Sequence, residues 1–122
     1  MAAVFATSTG SGTPTTLLVS TAASVPLPVN TSTNLFQGAT TTIVGTGHTV
    51  AIIGRTVADL PLYVQVDISI DGTSVYNDHA GQQIVVKQVL TAASHTITFT
   101  ATAFNQACNI SAAGLMILDL GL

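Results

Sequence analysis

Hydrophobic and polar residues alternate along much of this chain. Between Leu62 and Ile70, Val64, Val66, Ile68 and Ile70 fall on one face, and Tyr63, Gln65, Asp67 and Ser69 fall on the other. Period-two alternation with one wet side predicts a half-buried strand. Asp71-Gly72 follows at once and Thr73–Tyr76 resumes the pattern. Asp-Gly between two such runs predicts a hairpin, because both residues tolerate positive φ. A second clean strand is expected over His95–Phe104. There Ile97, Phe99, Ala101 and Ala103 oppose a row of four threonines, Thr96, Thr98, Thr100 and Thr102.

Further strands are expected at Thr15–Ala23, Ala39–Val44, Thr49–Arg55, Ile84–Leu90 and Ala112–Leu120, where β-branched residues dominate. Turn signals separate them: Pro26 and Pro28, Gly45-Thr46-Gly47, Leu60-Pro61, Asn77–Gly81 and Asn105-Gln106. Short strands at close intervals, with no helical period between them, predict an all-β fold: an antiparallel β-sandwich of about eight strands, of jelly-roll type. One domain spanning residues 15–122 is expected. Residues 1–14 are low in complexity and read as a flexible or extended N-terminal arm.

Two strands lack an obvious wet face. In Thr49–Arg55, Val50 and Ile52 oppose Ala51 and Ile53. In Ala112–Leu120, Leu115 and Ile117 oppose Met116, Leu118 and Leu120. An apolar strand needs cover on both faces. One cover is the core of the sandwich; the other is expected to be a subunit interface carried by Ile53, Leu115, Met116, Ile117, Leu118 and Leu120.

Composition sharpens that expectation. Of 122 residues, 48% are hydrophobic and only 6% are charged, against about 25% charged in an average soluble domain. Mean hydropathy is +0.61. Such a surface suits packing against copies of itself or a larger assembly. No apolar run reaches the 18 to 20 or so residues of a membrane-spanning helix, so no membrane partner is expected. Arg55 and Lys87 are the only Lys or Arg, too few to track a phosphate backbone, which argues against nucleic acid. The N-terminus carries no cation before its apolar residues, as a secretory signal would.

Little here suggests catalysis. His48, His79 and His95 have no metal-ligand spacing, and the single cysteine, Cys108, reads as a small buried hydrophobe. The carboxylates Asp59, Asp67, Asp71, Asp78 and Asp119 show no pairing that general acid–base work requires. No Gly-x-Ser-x-Gly elbow is present, and Gly45-Thr46-Gly47-His48 lacks the lysine of a phosphate loop. No catalytic, cofactor-binding or metal-binding residue is therefore assigned. Asp119 stands within an apolar strand, where a carboxylate needs a partner, and Arg55 is the expected one. Tyr63 and Tyr76, near the Asp71-Gly72 hairpin, are the candidates for stacking on a sugar.

Three segments carry a family resemblance: SHTITFTATA (Ser94–Ala103), ISAAGLMILDLG (residues 110–121) and the hairpin VQVDISIDGTSVY (residues 64–76). Together they resemble small phage virion structural proteins, similar to trimeric jelly rolls of complement and tumour-necrosis-factor type. The resemblance extends over about residues 40–122 and rests on hydrophobic pattern. It implies a non-enzymatic capsid decoration or cement protein, located on the capsid surface of a virion. Its partners would be itself, as a homotrimer, and a major capsid protein. The alternative it implies is a head- or tail-fibre tip that binds host-surface glycans. It transfers no catalytic residue or cofactor.

Overall fold

Each alternating run forms a strand, and successive strands wrap around one core. The structure is a computed structural model that describes residues 14–36 and 41–121. The expected N-terminal arm lies outside the described residues, apart from Pro14. Among the described residues nine strands follow in order: β1 (Thr15–Leu27), β2 (Thr33–Asn34), β3 (Thr42–Val44), β4 (Thr49–Ala58), β5 (Val64–Ile70), β6 (Thr73–His79), β7 (Ile84–Val89), β8 (Ser94–Ala103) and β9 (Cys108–Asp119). A single 3-10 turn, Pro61–Tyr63, precedes β5.

The strands form two antiparallel sheets. One has the order β1-β9-β4-β7; the other has the order β2-β8-β5-β6, with β3 also paired to β8. β2 and β3 occupy two stretches of the same neighbour, Thr33 opposite Ala101 and Thr42 opposite Thr96. Counted as one interrupted strand, they make an eight-stranded jelly roll, four strands to a sheet, as the alternation predicts.

Several boundaries move for identifiable reasons. β1 runs on through Pro26 to Leu27; it is an edge strand, where a missing N–H is tolerated. β9 begins at Cys108, earlier than its apolar run, because Ile110 still pairs with both Val25 and Ala58. Leu62 and Tyr63 leave the expected strand because Pro61 opens a 3-10 turn, closed by Tyr63 N–H on Leu60 O at 3.0 Å.

The core lies between the sheets. Val64, Val66, Ile68, Ile97 and Phe99 face it from one side; Val50, Ile52, Ile110, Leu115 and Ile117 face it from the other. Phe36 tilts against Phe99 with ring centroids 5.8 Å apart. Gly54 points inward, and a Cβ there would sit 3.5 to 3.6 Å from Ile84, Ile68 and Phe99. The alternation of β5 is realised without error: Val64, Val66, Ile68 and Ile70 are all buried. Cys108 is buried with its thiol near Gln106 O, as expected of a small hydrophobe.

Candidate interaction surface and its polar locks

The outward positions of the sheet β1-β9-β4-β7 line up in rows. Val19 pairs with Met116, Met116 with Ile53, and Ile53 with Val85, so one apolar row crosses all four strands. Beside it, Leu118 pairs with Ala51 and Ala51 with Lys87. On the other side, Thr21, Gly114 and Arg55 form the next row. Gly114 has no side chain, and a Cβ there would lie 3.8 Å from Arg55 Cγ. The result is a shallow groove of about 190 Å³ between Val19, Ile53, Arg55 and Met116. Val19, Val85 and Val89 are 61%, 59% and 62% exposed, and Met116 is 37% exposed. Valines this open on a regular sheet face are surface that β-propensity alone does not call for.

This geometry divides the expected interface. Met116, Leu118 and Ile53 do lie on the outward phase, and Leu120 follows at the end of β9. Leu115 and Ile117 do not: they are 2% and 0% exposed within the single chain, facing the core beside Ile52 and Gly54. They are core residues. A sequence with two apolar faces does not say which face is inside.

The Arg55–Asp119 pair, expected within or between subunits, does not form within the chain. Asp119 pairs with Val50 and Arg55 with Gly114, five rows apart and on opposite faces of the sheet. At about 3.3 Å per residue the two are too far apart to bond. Asp119 instead accepts hydrogen bonds from the Thr46 hydroxyl and from Gly121 N–H, the latter at 2.8 Å. His48 Nδ1 lies 3.1 Å from Asp119 Oδ1 and 3.0 Å from Thr46 Oγ1. The Thr46 hydroxyl, with Gly121 N–H and His48 behind it, holds the Asp119 carboxyl below the usual carboxylate range in spite of its burial. This lock ties the β3–β4 loop to the end of β9.

A second lock sits on the Asp71-Gly72 turn, where φ is 51° and 86°, as the hairpin reading requires. Asp71 Oδ1 accepts Thr96 N–H at 2.9 Å, and Oδ2 lies 2.7 Å from His95 Nδ1. On the other side of the ring, Nε2 lies 3.0 Å from Thr91 O. A carbonyl can only accept, and an ionised carboxylate can only accept. Nε2 also lies 3.2 Å from the Thr91 hydroxyl, which can donate or accept, so this setting favours the protonated ring without requiring it. Its pKa is raised, chiefly by Asp71 and then by the Thr91 carbonyl. Asp71 is held below the usual range, first by Thr96 N–H and then by His95.

The third cluster covers the outer face of the other sheet. Asp67 accepts hydrogen bonds from Ser69 Oγ at 2.7 Å, Ser74 Oγ at 2.6 Å and Asn77 Nδ2 at 2.9 Å. Burial pulls its carboxyl upward, but the bonds from Ser74, Asn77 and Ser69 outweigh this and hold it below the usual range. Gln65 Nε2 in turn donates to Asn77 Oδ1 at 2.5 Å. The expected threonine row completes this face, Thr98, Thr100 and Thr102 standing opposite Ser69, Asp67 and Gln65.

The two tyrosines differ in setting. Tyr63 is exposed beside Pro61 and Leu62, at the start of β5. Tyr76 pairs with Ile68 and packs against the core, because a bulge between Ile68 and Ser69 shifts the phase of β6. That burial raises the Tyr76 pKa, with a further push from Asp78. Among the described residues, no three His, Cys, Asp or Glu side chains come together as metal ligands; His48 and His95 each go to a different carboxylate. Neither lock was read from the sequence. Thr46 and Asp119 are 73 positions apart, and the only local signal was the Asp71-Gly72 turn.

No family model matches the chain, and no curated protein matches it. Among solved structures it is similar to the crystal structure of FLHE, with TM-score 0.52 and 10% identity over 88% of this chain and 97% of that one. It also aligns with the CBM36-1 domain of a multidomain xylanase from the hindgut metagenome of Trinervitermes trinervoides. That alignment has TM-score 0.45 and 13% identity over 80% of this chain and 96% of the other, too loose to carry an argument. The chain is thus an antiparallel two-sheet β-sandwich, and its likeness to FLHE is one of fold.

Proposed function

We propose that this protein is a non-enzymatic structural protein that works by packing against copies of itself, in the capsid decoration role implied by the sequence resemblance. The observation that carries the reading is the apolar row Val19–Met116–Ile53–Val85, which crosses all four strands and is exposed at Val19, Met116 and Val85. Large contiguous apolar surface on a soluble domain marks a contact site. Asp67, Asp71 and Asp119 each hold several hydrogen bonds within the chain.

Sedimentation velocity over a range of micromolar concentrations tests the association. An oligomer is expected, and Val85→Asp, at an exposed edge-strand position, should return it to monomer with unchanged circular dichroism. A wild-type chain that stays monomeric throughout overturns the reading. Binding to empty phage capsids, lost with the same substitution, tests the decoration role itself.

A further inference from the structure

The chain's charges are segregated between its two outer faces. Both cations, Arg55 and Lys87, stand at outward positions of the sheet β1-β9-β4-β7, opposite Gly114 and Ala51. None of the five carboxylates occupies an outward position there. Asp119 is on the buried phase, Asp59 and Asp71 lie in turns, and Asp67 and Asp78 belong to the other sheet. The opposite outer face carries Asp67 at its centre, fixed by Ser69, Ser74 and Asn77, and no cation.

We infer that copies of this chain associate head to tail, the apolar face of one, with Arg55 and Lys87, seating on the Asp67 face of the next. The inference rests on the self-association proposed above and specifies its surfaces. Two apolar faces meeting symmetrically would bring four cations to one joint with no carboxylate among them. A guanidinium desolvated without a partner is costly, and Arg55 stands within the face, flanking the groove over Gly114. The Asp67 face supplies the missing anion. Gln65, Asn77 and Asp67 are already paired with one another, so covering these three strands few donors or acceptors. The two faces lie on opposite sides of one sandwich. A contact between them is heterologous and repeats in one direction, so the geometry points to an open stack rather than the closed trimer that the resemblance implies.

Charge exchange tests this with the protein alone. Arg55→Asp and Asp67→Arg should each raise the concentration needed for assembly by about tenfold or more. Mixed one to one, they should reassemble, since each variant restores the partner surface of the other. Circular dichroism checks the fold of both. Asp67→Asn, which keeps the side chain's shape, serves if Asp67→Arg does not fold, and should also weaken assembly. Asp67 variants that fold and assemble like the wild type overturn the head-to-tail contact while leaving self-association intact. A wild-type monomer at every concentration overturns both.

Discussion

His95 Nδ1 stands 2.7 Å from Asp71 Oδ2 while its other nitrogen faces the Thr91 carbonyl at 3.0 Å. One ring therefore joins the β5–β6 turn, the start of β8 and the β7–β8 loop. Its protonation state is linked to folding. The raised His95 pKa gives stability that is full below the unfolded value of 6.5 and is lost as pH rises through the higher folded value. The lowered Asp71 pKa gives stability that is present above 3.8 and is lost as pH falls. Urea midpoints should accordingly be higher near pH 5.5 than near pH 8.5. In His95→Gln that difference should shrink; an unchanged difference would show that another group sets the pH response.

Asp119→Ala strips the partner from Thr46, His48 and Gly121 N–H. It should cost about 1–3 kcal/mol of unfolding free energy, as for other stranded buried groups. Arg55→Ala, on the far face, should stay within about 0.5 kcal/mol. The two changes should add in the double variant, measured by denaturant unfolding; coupling above that level would revive an ion pair between them.

The two phases of β9 should respond differently. Ile117→Ala opens a cavity in the core and should cost about 2–5 kcal/mol. Met116→Ser, one residue away on the outward phase, should leave thermal unfolding of the monomer nearly unchanged and weaken assembly. Calorimetry and sedimentation on the same samples separate the two effects.

Gly45 lies against the β7–β8 loop, donating to Ala93 O at 2.9 Å. A Cβ there would overlap the Thr91 carbonyl. Gly45→Ala should therefore destabilise by about 1–3 kcal/mol through overpacking, while Gly47, with open space around it but φ of 87°, pays for a side chain through backbone strain. Thermal melts of Gly45→Ala test the first claim; a melting temperature equal to wild type would refute it.

The strands are legible because alternation is a local property: the alternating runs Val64–Ile70 and 95–103 stand out from a few residues each, while the turn at Leu62 and Tyr63 does not. What stayed hidden depended on distance or on phase. Asp119 was assigned to Arg55 by counting cations, which left out the hydroxyl, imidazole and backbone N–H groups that also satisfy a carboxylate. Nothing in TSVYN announces the bulge that turns Tyr76, a candidate for stacking on a sugar, toward the core. Leu115 and Ile117 were indistinguishable from Met116 and Leu118 until the second sheet showed which side was covered. The first half of the interrupted strand β2–β3 is invisible in the sequence, since Thr33–Asn34 is too short for any period to register.

β1 pairs with β9 along almost its entire length, from Thr15 opposite Asp119 to Leu27 opposite Cys108. β9 also separates β1 from β4, so the first strand has no place in its sheet until the last one arrives. During synthesis β1, with Leu17, Leu18 and Val19, must wait unpaired while the rest of the sandwich emerges. Such a long-range closure folds slowly and leaves an apolar strand open to wrong partners in the meantime. Until β9 is available, a nascent chain of this protein therefore carries β1 without its sheet neighbour.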